Sequence, residues 1–228
     1  MNRLLPNARY EQKFVVEKRT VADVLSLVRR HPASFHETFR ERIVNNIYLD
    51  TPGLNDFQAH VNGLAHRVKN RIRWYGRATP QIDHPAYERK LRDGRITGKI
   101  THRLAGFRLD RNRVPNCLKQ SLASSQLPEV LQEALRRCEP VLFNRYRRHY
   151  FASADGRFRL TVDSELRFGE IGQAALPDQQ LSSPSDFLVL ELKYLPQHAE
   201  PAARVSASLP FPMSRCSKYV LGIQRIRL

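Results

Sequence analysis

The sequence predicts an α+β fold in which an antiparallel β-sheet closes into a barrel, a tunnel with a charged lumen and helices packed outside. Three observations predict it. Six segments alternate with period two and carry charges of both signs on one face, and three further segments show helical periodicity. No repeat, low-complexity tract or convincing linker divides the 228 residues, so residues 1–228 read as one domain. A chain of this length buries a core without disulfide or metal staples.

Successive strand side chains point to opposite faces, so alternation reports what each face meets. In Arg67 to Tyr75 one face carries Arg67, Lys69, Arg71, Arg73 and Tyr75, and the other Val68, Asn70, Ile72 and Trp74. Glu88, Lys90 and Arg92 oppose Tyr87 and Leu91; Glu191 and Lys193 oppose Leu190, Leu192 and Tyr194. In Arg157 to Phe168 the charged face is Arg157, Arg159, Asp163, Glu165 and Arg167, against Phe158, Leu160, Val162, Leu166 and Phe168. Arg145, Arg147 and His149 alternate before Phe151, and Arg9, Glu11 and Lys13 open the chain. One such strand has an ordinary explanation as an amphipathic strand with a solvated face. Six of them, nearly without Thr, Gln or Ser in the charged stripe, point to an inward charged face, and closure also removes vulnerable sheet edges.

Helical periodicity marks Val21 to Arg30, Pro128 to Cys138 and Arg215 to about Ile226, with Ser214 as the expected N-cap of the last. Leu176 to Asp186, containing Pro and Ser, reads as a long loop. The remaining segments of substance read as strands.

Composition narrows the partners. Lys and Arg number 38 against 22 Asp and Glu, a net charge of +16, and 30 of the 38 are Arg. Guanidinium presents a planar fork of donors that matches phosphate oxygens. A GC-rich genome would explain Arg over Lys but not the net excess. Nucleic acid is the usual partner of such a charge, yet the charges are placed on strand faces rather than in a surface run, and no specific nucleic-acid contact is expected. No apolar run is long enough to cross a membrane or to serve as a signal peptide, and Cys117, Cys138 and Cys216 form no CxxC pair. A cytoplasmic location is the expectation.

A charged lumen has the parts phosphoryl transfer needs: cations for phosphate oxygens, and carboxylates for a bridging divalent metal. Mg²⁺ or Mn²⁺ takes oxygen ligands and keeps waters, so one or two carboxylates suffice. Glu11, Glu88, Asp163 and Glu191 are the acidic candidates; Lys13, Arg71, Arg73, Lys90, Arg145, Lys193 and Lys218 are the basic ones. The same carboxylates could instead brace the lining arginines. No Walker-type, HExxH or GxSxG signature is present.

Read in order, Arg9, Glu11, Lys13 and Phe14, then Asn46, Tyr48 and Asp50, then Arg71, Arg73 and Tyr75, then Glu88 and Lys90 form a succession. It continues with Asn144, Arg145 and Tyr146, Arg159 and Asp163, Glu191 and Lys193, and Ser217, Lys218 and Tyr219. No single motif is specific, but this ordered set resembles the vacuolar transporter chaperone (VTC) domain. That domain is the polyphosphate-polymerase branch of the triphosphate tunnel metalloenzymes. The resemblance runs from about Arg9 to Gly222. It implies a closed tunnel that binds a nucleoside triphosphate and moves its γ-phosphate onto a polyphosphate chain with Mn²⁺ or a similar metal. It also implies Lys13, Arg71, Arg73, Lys90, Arg145 and Lys218 on phosphates and Glu191 on metal, with Glu11 and Glu88 as weaker metal candidates and Asp163 structural or metal-binding. Arg71, Arg73 and Lys218 are the expected catalytic residues. Arg9 stands where the wider superfamily's first strand has a Glu, which thins the metal site. Without a transmembrane segment of its own, passage of polyphosphate across a membrane would need a separate membrane partner. Two other readings stay open, a triphosphatase and a non-catalytic polyanion binder, as does the oligomeric state.

Overall fold

The alternating segments form strands of one large antiparallel sheet. The computed structural model describes residues 8–76, 80–110, 113–171 and 181–227. The strands are β1 (Tyr10–Glu17), β2 (His36–Asp50), β3 (His66–Tyr75), β4 (Gln81–Ile82), β5 (Ala86–Asp93), β6 (Ile96–Arg103), β7 (Phe107–Arg108), β8 (Glu139–Ala152), β9 (Phe158–Gly169) and β10 (Phe187–Tyr194). The helices are α1 (Val21–Arg29), α2 (Asn55–Val61), α3 (Val114–Ala123), α4 (Glu129–Arg136), α5 (Ala199–Ala207) and α6 (Lys218–Arg227), with a short 3₁₀ turn at Pro196–His198. Eight strands pair in the order β1-β10-β9-β8-β2-β3-β5-β6, and β4 pairs with β7 apart from them.

The large sheet curls strongly. Lys90 on β5 reaches Glu11 on β1 at 2.5 Å, although five strands lie between them in the sheet. At the seam Arg9 and Thr97 exchange backbone hydrogen bonds of 3.0 and 2.9 Å, the one bridge between the β1 and β6 edges among the described residues. The continuous closed barrel expected from the sequence is therefore not seen in the hydrogen-bond ladder. The edges meet at that single point, and pairing does not propagate along β1 and β6.

The two faces differ as alternation requires on most strands. On β9 the expected apolar row is split, Phe158, Leu160 and Val162 packing outside and Leu166 and Phe168 inside, because an extra residue in the β8–β9 register reverses the parity. On the outer face Ile72, Trp74 and Tyr87 pack with Val114 and Leu118 of α3 and Leu131 and Leu135 of α4. Leu160, Val162, Leu190 and Leu192 pack with Val24, Leu25 and Val28 of α1 and Ala202 of α5. Helix α1 shows the local logic. Thr20 and Asp23 form a reciprocal capping box, and the buried Val24, Leu25 and Val28 fall at i, i+1 and i+4. Each such burial contributes about 1.5–3 kcal/mol. The inner face holds the charges and a third apolar cluster, in which Tyr146, Leu142 and Phe168 meet Tyr219 and Ile223 of α6.

Three helices carry no clear helical periodicity in the sequence. Helix α2 is seven residues long with one buried side chain, Phe57, and α3 and α5 begin around prolines, Pro115 and Pro201. Ser214 is not the cap of α6: Ser217 Oγ accepts from the Val220 N–H at 3.3 Å, which places Lys218 in the first turn. The expected loop from Leu176 falls partly outside the described residues; Leu181 to Asp186 carries no strand.

Candidate active site

The inner face gathers charged side chains from β1, β3, β5, β6, β8, β9, β10 and α6 into one connected network. Glu88 on β5 accepts two bonds from Arg71, the shorter 2.6 Å, and one from Lys99 on β6 at 2.7 Å, with Arg73 3.7 Å away. Asp163 on β9 takes both arms of Arg148, at 2.5 and 2.7 Å, and the Lys218 ammonium at 2.5 Å. Glu191 on β10 meets Lys193 at 2.9 Å, Lys13 at 3.7 Å, Arg148 at 3.8 Å and Lys90 at 4.0 Å. Glu11 takes Lys90 and Arg9, the latter at 3.2 Å.

Among the described residues ten cations thus surround four carboxylates: Arg9, Lys13, Lys69, Arg71, Arg73, Lys90, Lys99, Arg148, Lys193 and Lys218. Nine have a carboxylate within 4.0 Å. Lys69 is the exception among the described residues, and donates instead to Ser217 Oγ at 2.8 Å. Buried like charges repel strongly, so a surplus of six positive charges on an inward face describes a site built for an anion.

The titration behaviour follows from burial and neighbours. Burial alone would raise the Asp163 carboxyl, but Arg148 and Lys218 outweigh it and hold it at about 2. Glu88 and Glu191 are likewise buried yet held low, Glu88 chiefly by Arg71 and Glu191 chiefly by Lys193. Among the bases the balance reverses. Burial pushes Lys90 down to about 8 despite Glu11 and Glu191. Lys69 falls well below the lysine range, first through burial and then through Lys13, Lys90, Arg71 and Arg67.

Tyr146 ties the deep end together. Its hydroxyl accepts from Arg73 at 2.9 Å, and its ring lies 4.9 Å from the Lys218 ammonium and 5.2 Å from the Arg148 guanidinium. Arg73 also donates to Asn46 at 2.8 Å. At the other end the face opens into a cavity of about 990 Å³. Lys13, Lys69 and Lys90 stand in its wall with Glu11, and Arg67, Arg92, Arg95 and Arg215 surround it.

Lys13, Arg71, Arg73, Lys90, Lys193, Lys218, Glu11, Glu88, Asp163 and Glu191 are all in this network. Arg145 is not. Its Nε donates to Asn45 at 3.1 Å and its electrostatic neighbours are Arg167 and Arg147. Strand β8 carries arginines on both faces, so charge alone could not select between them. Arg145 has the parity of the outward Phe143 and Phe151, and Arg148 has that of the inward Tyr146. The parity signal was legible and would have found Arg148. Tyr146 stands in the ordered motif set, but its role, like that of Lys99, depends on strands that are distant in sequence and was not legible there.

As a metal site the face is sparse. No group of three His, Cys, Asp or Glu side chains comes together among the described residues. Arg71, Arg73 and Lys99 surround Glu88, and Arg148 and Lys218 take up both oxygens of Asp163. Glu11 and Glu191 remain, diagonal neighbours across the β1–β10 pair that share Lys90. Two carboxylates with lysine partners fit a divalent cation that completes its shell with water and phosphate oxygens.

Fold and site together define an α+β anion-binding protein: a curled antiparallel sheet with helices outside and a cation-rich inner face braced by carboxylates. The chain belongs to the VTC domain family, whose model matches residues 8–227. Two solved structures share the fold. One is a putative adenylate cyclase from Vibrio parahaemolyticus, 12% identical with a TM-score of 0.52 over 93% of this chain and 98% of that one. The other is a putative adenylyl cyclase from Hippeastrum described as having a dominant triphosphatase activity. It is 14% identical, with a TM-score of 0.52 over 96% of this chain and 97% of that one. No curated protein matches the chain, and no helix among the described residues is long and apolar enough to cross a membrane.

Proposed function

We propose that this chain is a metal-dependent enzyme acting on triphosphates, and that it transfers the γ-phosphoryl group of a nucleoside triphosphate to a polyphosphate chain. The observation that carries the proposal is the surplus of cations on one inward face, ten against four carboxylates. The sheet works as a tunnel whose seam is the Arg9–Thr97 bridge. Family membership supports phosphate chemistry. Elongation is favoured over hydrolysis by the basic cavity, which extends the cationic path past the deep Arg71, Arg73 and Arg148 cluster and leaves room for an anion longer than a triphosphate.

In this reading a terminal phosphate oxygen of the chain attacks the γ-phosphorus. A new anhydride bond forms, and the bond to the β-phosphate oxygen breaks, leaving the electron pair on the nucleoside diphosphate. Arg71, Arg73, Arg148 and Lys218 hold the triphosphate and meet the charge that develops on the equatorial oxygens. Tyr146 keeps Arg73, Arg148 and Lys218 at fixed separation. Lys13, Lys69 and Lys90 receive the polymer. Glu11 and Glu191 would hold Mn²⁺ or Mg²⁺, which supplies charge neutralisation on the phosphate oxygens when bound. Thiols at Cys117, Cys138 and Cys216, none in a disulfide, suit a reducing cytoplasm where nucleoside triphosphate is plentiful.

The test is purified protein with ATP and Mn²⁺, with products separated into polymer, pyrophosphate and orthophosphate. Polymer supports the proposal; orthophosphate alone assigns a triphosphatase; no turnover assigns a binder. Arg73→Ala and Lys218→Ala should each lose about a hundredfold or more in turnover, while Arg136→Ala, on the exposed side of α4, stays near wild type. Glu191→Gln should abolish turnover and leave metal-free triphosphate binding intact, because only a negative charge has left the site.

A further inference from the structure

Three lysines stand side by side on the inner face. Lys69 on β3 pairs in register with Lys90 on β5, and Lys90 pairs with Lys99 on β6. Like charges directly opposite one another on a sheet face repel. Two of the three are answered, Lys90 by Glu11 and Lys99 by Glu88. Lys69 has the Ser217 hydroxyl instead, at 2.8 Å, and that oxygen also accepts from the Val220 N–H. The charged groups around the Lys69 amine are Arg67 and Arg71 on its own strand, Lys90 on β5 and Lys13 on β1. Helix α2 adds Asp56 and His60. Asp56 accepts from the Asn70 amide at 3.1 Å, and burial and Asp50 push its carboxyl up to about 6. Burial, with Lys69 and Arg67, brings His60 down to about 3, so it stays neutral.

Lys69 is reached from the basic cavity, in whose wall it stands with Lys13, Lys90 and Arg67. That wall is not uniformly polar. Val61, Leu64, Val220 and Leu221 line the same cavity, and Val61 and Leu64 are 51% and 53% exposed. An inorganic phosphate chain would use the cations and leave these side chains in water. A ligand that uses both walls carries a phosphate joined to a carbon group.

We infer that Lys69 is a covalent modification site, acylated by small acyl phosphates that enter this cavity. The inference rests on the proposed function only in taking the face to bind phosphate. Lys13 and Lys90 hold the phosphate of the mixed anhydride, and the acyl group lies against Val61, Leu64 and Leu221. The Lys69 Nζ attacks the carbonyl carbon. An amide bond forms, the bond from that carbon to the phosphate oxygen breaks with its electron pair, and the departing phosphate takes the proton lost from nitrogen. The products are an acyl-lysine and inorganic phosphate. Burial first, and then the neighbouring cations, favour the unprotonated amine, the form in which lysine is a nucleophile. Acylation removes a positive charge from the end of the lysine row, so it weakens the hold on polyanions and lowers activity.

The experiment incubates the full chain with acetyl phosphate near neutral pH and locates acetyl-lysine by peptide mass spectrometry. Lys69 should be labelled about tenfold or more faster than Lys119, which is exposed on α3. Tripolyphosphate should suppress labelling at Lys69 and leave Lys119 unchanged. N-hydroxysuccinimidyl acetate, which carries no phosphate, should give Lys69 a much smaller lead. Lowering the pH from about 9 to 7 should slow Lys69 less than an ordinary lysine amine, which loses about tenfold per unit. The acetylated protein should bind tripolyphosphate about tenfold or more weakly. Lys69→Arg should escape labelling at that position and keep its affinity, with a thermal melt to confirm the fold. Labelling that follows exposure, or that falls on Lys13 or Lys90, overturns the inference, as does an equal lead with the phosphate-free reagent. Tripolyphosphate that binds while Lys69 stays unlabelled overturns this inference alone. Preferred labelling of Lys69 in a chain that does not bind tripolyphosphate supports the modification site and overturns the proposed function.

Discussion

Lys69 is the residue at which the electrostatics of this protein are least settled. Its ammonium is partly buried beside Lys13, Lys90, Arg71 and Arg67, and its hydrogen bond goes to a neutral hydroxyl. A buried charge without a counter-ion costs free energy, and such a cost is retained where function needs it. Lys69→Met should therefore raise Tm while weakening tripolyphosphate binding by about tenfold or more. Calorimetric binding and a thermal melt on the same preparation check both halves. A variant that loses stability and keeps affinity would show that Lys69 is merely structural. Arg145 and Arg148 give the complementary lesson. They are three positions apart in one arginine-rich strand, and only their parity with Phe143 and Tyr146 separates the outer face from the site.

At the scale of elements, α6 brings Lys218 to Asp163 because the helix lies very close to the sheet. A Cβ added at Gly222 would stand 2.5 Å from Leu142 Cδ2 and 2.6 Å from Phe168 Cδ1, and both of those side chains are fully buried. Overpacking there costs up to about 3 kcal/mol, against about 1 kcal/mol gained in helix propensity. Gly222→Ala should lower Tm by about 4–8 °C. It should also weaken triphosphate binding, because the displaced helix moves Lys218. Full affinity in that variant would separate the helix position from the site. Strand β9 makes its own adjustment. Two steps from Arg145 to Arg147 match three from Arg167 to Ser164, and the extra residue, Glu165, has a φ of 50°. This bulge leaves Glu165 exposed beside Arg147 and lets Asp163 face inward.

For the whole molecule, four buried carboxylates brace an otherwise repulsive face, and acid should undo it. Their folded pKa values lie below the ordinary range, with Asp163 at about 2. A depressed carboxyl contributes stability that is fully present above its unfolded pKa of about 4 and is lost as the pH falls toward its folded value. Protonation also adds to a net charge already at +16. Tm should be nearly flat from about pH 8 to 5 and fall steeply between about pH 4 and 2. Asp163→Asn should be less stable at neutral pH and flatter in acid. A wild-type Tm that holds to pH 3 would contradict this account.

The sequence by itself determined most of the strands and, outside β8 and the bulged part of β9, which of their faces turns inward, and from the order of its motifs it determined the family. The period-two pattern is a local property, so it survives whatever the strands later pair with. It also placed Lys13, Arg71, Arg73, Lys90 and Lys193 on the face where they are found, while Lys218, on α6, was singled out by its motif alone. Only the tertiary structure decided which charges meet: Lys90 with Glu11 across five intervening strands, Lys99 with Glu88, and Lys218 with Asp163. It also decided that the sheet edges touch at one bridge, and that three rings gather around Arg42. Alternation assigns a side chain to a face but carries no information on its neighbours there. Those neighbours are set by the curl of the sheet, by the bulge at Glu165 and by the close seat of α6, each of which arises from contacts between residues far apart in the chain.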